Sequence, residues 1–486
     1  MSKKKKKKTN KKKRKNNTAT NTNYNKKTTN KVSTKKSDDI KHQKAVKNEL
    51  QEKSKENIHK NDIKNLNKGK INIKYILLST IIIFLIIGGY FINKKILQEK
   101  QMLEIKLAEI KDSFNNTVIT NKETVLYKKN KNKHIESGTI GKDVYLYLNK
   151  DQSDYDNGFF AIINLSDSLN EQYYIYYKDI EKTNEDIITD KRYINYIPYN
   201  KTIITNDTFS LYDQNNNLIY KLNSKLEFPI IINKDNSYGI EFDDKLLYIK
   251  NEDIKEIVSK NNTNKTNTSG ISILNYHFVY DDSIDTCNQV ICHTKKQFQS
   301  HLEYIKNNNI FTPTLKELEM YLDGFIQLPK SVVITIDDGW LTEESTKLLN
   351  KYELNGTVFL ITSEYSKNPI ESKYVEVHSH THKMHKVGDC PGGYGGGIKC
   401  LSEEYIQKDL KTSRERLNNT TYFCYPFYEY NNYSISQLKK AGFTMAFAGY
   451  NANGQLKAKP GIDKYQIPRY VIQKNTSVNR LKNIIG

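Results

Sequence analysis

Tryptophan occurs once in 486 residues, at position 340, and proline only nine times. Cysteine is scarce too, and all five copies (287, 292, 390, 400 and 424) lie beyond position 286. No Cys-x-x-Cys pair occurs, which argues against a cysteine zinc site. Long apolar runs are missing with one exception, which excludes a polytopic membrane protein. Acidic residues are rare in the first 74 positions, where 26 Lys and Arg face 6 Asp and Glu. The remainder is nearly balanced, so the net charge of +21 describes one tail and does not make the whole chain a nucleic-acid binder. What is present in quantity is tyrosine, 35 copies, in a chain 37% hydrophobic, too apolar to be disordered throughout.

The one apolar run is Tyr75–Ile92 (YILLSTIIIFLIIGGYFI), with Lys74 before it and Lys94-Lys95 after it. As a helix it spans about 27 Å, close to a bilayer's hydrocarbon core. Too much sequence precedes it, and no small-residue cleavage site follows, for a signal peptide. The expectation is a single-pass anchor over 75–93. The lysine-rich tail, 1–74, then stays cytoplasmic by the positive-inside tendency, and everything beyond lies outside the cell membrane. The tail cannot bury a core and is expected to be disordered beside anionic lipid. Its lysine runs contain no aromatic residue, which speaks against nucleic acid as a partner. Leu97, Met102 or Leu103, Leu107 and Ile110 then recur at helical spacing, so 94–116 reads as a juxtamembrane stalk helix.

From 117 to 258 the pattern switches to short β-branched and aromatic runs between Asn, Asp, Gly and Lys turns. Examples are Asp143–Leu148, Gly158–Leu165 and Tyr173–Tyr177, then Phe209–Tyr212, Leu218–Leu222 and Tyr238–Phe242. Each half opens on Leu-Tyr (Leu126-Tyr127, Leu211-Tyr212) and closes on Asp-Ile (Asp179-Ile180, Asp253-Ile254). The spacing suggests two β modules, 117–190 and 191–258. They resemble a tandem of bacterial Src-homology-3-like barrels, and the resemblance implies cell-wall peptide as a partner. No catalytic constellation falls in either half. A polar linker, 259–270, follows.

After it, seven short apolar runs alternate with helical segments: Ile271–Tyr276, Ser331–Ile336, Gly356–Ile361, Tyr374–Val377, Tyr422–Pro426, Phe443–Ala448 and Gln466–Val471. Strands alternating with helices indicate an α/β domain with a parallel sheet over 271–486. Seven of them fit a deformed (β/α)7 barrel better than an open sheet. Polar residues follow the runs: His277, Asp337-Asp338-Gly339, then His378, His380, His382 and His385, then Phe427 and Tyr428. In a barrel such strand ends converge on one face.

Four of the ten histidines fall within Val377–Lys386, too dense for core filling. Imidazole nitrogens with a carboxylate make a catalytic divalent metal site, zinc foremost. Asp338 is the candidate carboxylate. Adjacent carboxylates on an extended chain point apart, so Asp337 is left to face the substrate as a base.

These segments resemble the polysaccharide deacetylases, carbohydrate esterase family 4. Thr335–Gly339 (TIDDG) resembles the family's TFDDG motif, and Ser379–His385 (SHTHKMH) its metal-binding motif. The spacing of His380 and His385 is similar to that of the poly-N-acetylglucosamine branch; Glu376, four before His380, supports this register over the second choice, His378 with His382. Asn275–Phe278 (NYHF) and Tyr425–Asn431 (YPFYEYN) resemble the opening and third motifs. The resemblance implies Asp338, His380 and His385 as metal ligands, Asp337 as general base, His277 as general acid and the Phe427 N–H as oxyanion donor. It implies an N-deacetylase of a cell-surface glycan; the wall-binding-type β modules put peptidoglycan first, and the histidine spacing puts poly-N-acetylglucosamine second. Phe427 and Tyr428 stand where the family has Tyr and Gly, and the usual Arg before the third motif and the Asp-x-x-x-Trp motif are absent. This altered third motif leaves room for an inactive wall-bound scaffold. Arg469 is the candidate replacement partner of Asp337. The insertion Val387–Cys400 reads as a mobile flap, and its flanking cysteines, like Cys287 and Cys292, can pair outside the cell.

Overall fold

A computed structural model describes residues 73–115, 117–183, 191–260, 267–365 and 367–486; the basic tail and the middle of the polar linker lie outside the described residues. The chain divides into two units, with the boundary between Lys95 and Ile96. One unbroken helix, α1 (Ile73–Lys111), carries the apolar run and the stalk segment, which sequence places in separate elements. Nothing between Asn93 and Lys111 breaks a helix: neither proline nor glycine occurs there. Among the described residues it is the one helix long and apolar enough to cross a membrane, and its apolar window is not buried. In the second unit the end of α1 is anchored. Ile110 is fully buried in the β core, with Leu103 and Leu107 packed beside it. Met102 and Leu97 point outward, so Leu103 completes the stripe.

The β region is more continuous than two modules would be. Leu218–Leu222 pairs antiparallel with Lys133–Ile140, joining strands from both sides of position 190 into one twelve-stranded sheet among the described residues. Val118, Leu146, Phe160 and Tyr173 share a core with Phe209, Tyr220, Phe242 and Leu247. Alternation of apolar and polar residues fixes which face of each strand enters it. A separate three-stranded sheet covers the second half.

The C-terminal region is built on a curled parallel sheet of seven strands among the described residues. They are β1 (Ser272–Tyr276), β2 (Val332–Ile336), β3 (Gly356–Leu360), β4 (Val375–Ser379), β5 (Tyr422–Cys424), β6 (Met445–Phe447) and β7 (Tyr470–Val471). The order across the sheet is β6-β5-β4-β3-β2-β1-β7. One parallel bridge, Phe447 to Ile467, brings the chain ahead of β7 beside β6. Every residue of β1, β2 and β3 is buried, as expected where helices cover one face and the concave interior the other. Leu274, Ile334 and Val358 face the helices Lys295–Asn307, Thr342–Tyr352 and Val478–Ile485, while Ile273, Val333 and Phe359 line the interior over helix Leu315–Leu322.

The β region docks against this domain. Tyr193, Ile231 and Ile232 join the cluster of Leu315, Leu318 and Ile326. Arg192 Nε donates to Glu317 Oε1 at 2.9 Å, and Tyr196 donates to the same oxygen at 2.9 Å.

Candidate active site

The loops after β1, β2, β4 and β5 gather the polar residues at one mouth of the sheet. Asp337 continues β2, its N–H donating to the Tyr276 carbonyl at 2.9 Å. Asp338 then turns with φ of 70°, a left-handed conformation that L-residues adopt only when the surroundings impose it. Gly339 follows at φ of 92°, where a Cβ would lie 2.2 Å from Leu360 Cδ1, so only glycine fits. This double turn sends the two carboxylates different ways.

Asp337 is fully buried and gripped by Arg469, Oδ1 to Nη1 at 2.7 Å and Oδ2 to Nη2 at 2.9 Å. Arg469 is itself fully buried, and its Nε donates to the Ala448 carbonyl at 2.9 Å. Burial works to raise the Asp337 pKa, but the Arg469 guanidinium and His380 hold it well below the usual carboxylate range. Cys424, a buried free thiol, lies 3.5 Å from Asp337 Oδ2.

Asp338 faces imidazoles. Its Oδ1 is 3.5 Å from His380 Nε2 and 3.3 Å from His385 Nε2. The ligand atoms of the three residues lie within 4.8 Å of one another. His380 Nδ1 donates to the Cys424 carbonyl at 2.9 Å, which turns its Nε2 lone pair into the cluster. Burial, with His380 beside it, pushes His385 down to about 4, so its imidazole is neutral near pH 7. Asp338 Oδ1 is buried without a hydrogen-bond donor. Burial opposes the charged form of His380, but Cys424 and Asp338 raise its pKa well above the usual imidazole range, so a cation bound here would take the place of its Nε2 proton. A carboxylate oxygen and two imidazole nitrogens converging this closely are a donor set that suits zinc among other divalent ions. A second group, Asp337, His380 and Cys424, is equally close, but Arg469 already occupies both Asp337 oxygens.

His277 follows β1 and is nine-tenths buried, and its Nδ1 has no partner. Burial lowers its pKa, while Asp337 and Asp338 oppose the shift. Phe427 sits in a single turn, Pro426–Tyr428, with φ of 55° and its ring 4.5 Å from that of His385. The Tyr428 and Glu429 amides are used inside that turn, on the Tyr425 and Pro426 carbonyls. Tyr428 donates to Asn275 Oδ1 at 2.7 Å, tying the third segment to the first.

The alternative pair His378 and His382 is not brought to Asp338. His378 lies inside β4 rather than after it, bonded to Glu376 at 3.0 Å and to Thr420. His382 bonds Thr362 at 3.0 Å. The insertion is also no free flap. Cys390 and Cys400 are bridged, as are Cys287 and Cys292. The Glu429 carboxylate accepts from the amides of Tyr394, Gly395 and Gly396. Sequence reading missed Cys424 and Tyr428 as neighbours of Asp337 and Asn275, because only the sheet order puts β5 beside β4.

Residues 327–446 match the family described as polysaccharide deacetylase. A curated relative described as a polysaccharide deacetylase, YxkH of Bacillus subtilis (strain 168), is 25% identical over 187 residues, covering 36% of this chain and 63% of that protein. The chain thus spans a little under two thirds of that relative's length. Among solved structures, the Streptococcus pyogenes deacetylase PplD in complex with acetate is 17% identical (TM-score 0.37), covering 45% of this chain and 98% of its own. IcaB from Ammonifex degensii is 21% identical (TM-score 0.38), covering 44% and 97%.

Proposed function

From a chain that carries a polysaccharide deacetylase domain, we propose a membrane-anchored, metal-dependent N-deacetylase that removes acetyl groups from N-acetylglucosamine in peptidoglycan. The observation that carries this reading is the buried, donor-less Asp338 Oδ1 facing His380 Nε2 and His385 Nε2.

Asp338, His380 and His385 would hold the cation. When bound, a divalent ion, zinc foremost, polarises the acyl oxygen and lowers the pKa of water. Asp337, kept ionised by Arg469, accepts the proton of the attacking water. The Phe427 N–H, the amide left over in its turn, donates to the acyl oxygen as charge grows there. His277 delivers a proton to the departing nitrogen. The C–N bond breaks, acetate leaves, and glucosamine stays in the polymer. Arg469 fills the role of the arginine missing ahead of the third segment, which weakens the case for an inactive scaffold.

The anchor would be α1, with the lysine-rich tail cytoplasmic and the domain outside, beside the wall. The β region is proposed to hold wall peptide close to the enzyme. Poly-N-acetylglucosamine is the second reading, favoured by the five-residue step between His380 and His385. Acetate release from N-acetylated wall glycan by the purified chain tests the activity. Mass spectrometry of wall glycan from cells with and without the protein tests the substrate. More acetylated glucosamine is expected in cells lacking it; unchanged acetylation would move the assignment to the exopolysaccharide.

A further inference from the structure

The loop between the two bridged cysteines has a construction that metal binding does not require. Cys390–Cys400 closes its base. Glu429 ties its crest, accepting the Gly395 and Gly396 amides at 3.1 and 2.8 Å, with Lys399 Nζ 2.7 Å from the same carboxylate. Gly393, at φ of 62°, lies so close that a Cβ there would be 1.8 Å from Glu429 Oε1. Glu429 is two residues beyond Phe427, so loop and third segment are locked together. The product of this bracing is one aromatic ring held in the open. Tyr394 is 66% exposed and stacks on Phe427, at 5.6 Å and 28°, while Phe427 itself lies against His385.

A second aromatic pair leaves the same mouth from other strands. Trp340 follows the Asp338-Gly339 turn, is 43% exposed, and stacks on Phe278, the residue after His277, at 5.9 Å and 16°. The first pair springs from β4 and β5, the second from β1 and β2, with β3 between them. Three strand spacings separate their origins, roughly 14 Å. Exposed aromatic faces cost free energy in water unless something apolar and flat covers them. The C–H face of a pyranose ring is such a surface, and it stacks on the electron-rich face of an aromatic ring.

We infer that the braced loop is a sugar-binding shelf: Tyr394 over Phe427 takes one pyranose ring of the glycan, and Trp340 over Phe278 takes another, so that the polymer lies across the metal centre. This rests on the deacetylase reading and adds to it the residues that select a polymer over a single sugar.

The chain's single tryptophan makes the inference testable by binding alone. A soluble hexamer of N-acetylglucosamine, titrated into the full-length protein in detergent, is expected to shift Trp340 emission saturably. Tyr394→Ala should weaken that titration roughly 2- to 10-fold, the range for one lost aromatic stack, with metal content unchanged. Tyr394→Phe, which keeps the ring face, should restore it. Wild-type emission that does not move, or wild-type affinity in Tyr394→Ala, would overturn the shelf. A saturable titration without any acetate release would instead sink the enzyme reading and leave the shelf standing.

Discussion

Asp337 and Asp338 are neighbours in sequence and do opposite work. The left-handed turn at Asp338, made possible by Gly339, sends one carboxylate to a buried guanidinium and the other to two imidazoles. Arg469 is therefore the residue on which Asp337 most depends. Removing one partner of a buried pair leaves a charge without compensation, a cost of about 3–5 kcal/mol. Arg469→Met is expected to lose stability of that order in urea unfolding, and Asp337→Asn in the same background should recover part of it. A loss below about 1 kcal/mol would show that the pair is not what holds this region together. The pairing of DDG with clustered histidines was legible in sequence because motif chemistry is local. Choosing His380 over His378 was harder, since both follow the same apolar run. In the structure β4 runs through Ser379, which leaves His378 beside Glu376 and puts His380 just past the strand, beside Asp338.

At the scale of elements, all seven strands of the parallel sheet fall within runs legible in sequence; β1, β2, β3, β5 and β6 are buried throughout and carry an uninterrupted apolar signal, while β4 (VEVHS) and β7 are only partly buried. The small parallel pair Phe278–Tyr280 with Cys292–Thr294 was not, since three-residue strands have no periodicity to read. It matters for stability. His293 in that pair is fully buried against Tyr276, 5.1 Å between ring centroids. Burial, with His301 adding to it, pushes His293 down to about 4. In the unfolded chain it titrates near 6.5. Above about 6.5 both states are neutral and this group adds no pH dependence; between about 6.5 and 4 the unfolded chain gains a proton that the folded one refuses. Stability should therefore fall through that window by about 3 kcal/mol from this group. Thermal unfolding midpoints from pH 7.5 to 4 check it. His293→Gln is expected to flatten the acid slope, and an unaltered slope would contradict the assignment.

Over the whole molecule, the elements of the structure run across two of the boundaries drawn from sequence patterns. Anchor and stalk are one helix, because charge changes at Lys94 without any residue that stops a helix. The two β halves share a sheet and a core, because cross-strand pairing between Tyr220 and Ile140 joins residues 80 positions apart and leaves no mark on either local pattern. The docking of Tyr193 and Ile232 on Leu315 and Ile326 is equally invisible in a single sequence. All these long-range contacts leave the strand ends free to assemble one centre, and that centre is the claim on which the functional account stands. Its most direct test is elemental analysis of the purified full-length chain, paired with acetate release. About one divalent ion per chain is expected in the wild type and in Asp337→Asn, which should lose turnover, whereas His380→Ala should lose both ion and turnover. A wild-type chain that binds no divalent ion, or a His380→Ala chain that keeps a full complement, would contradict it.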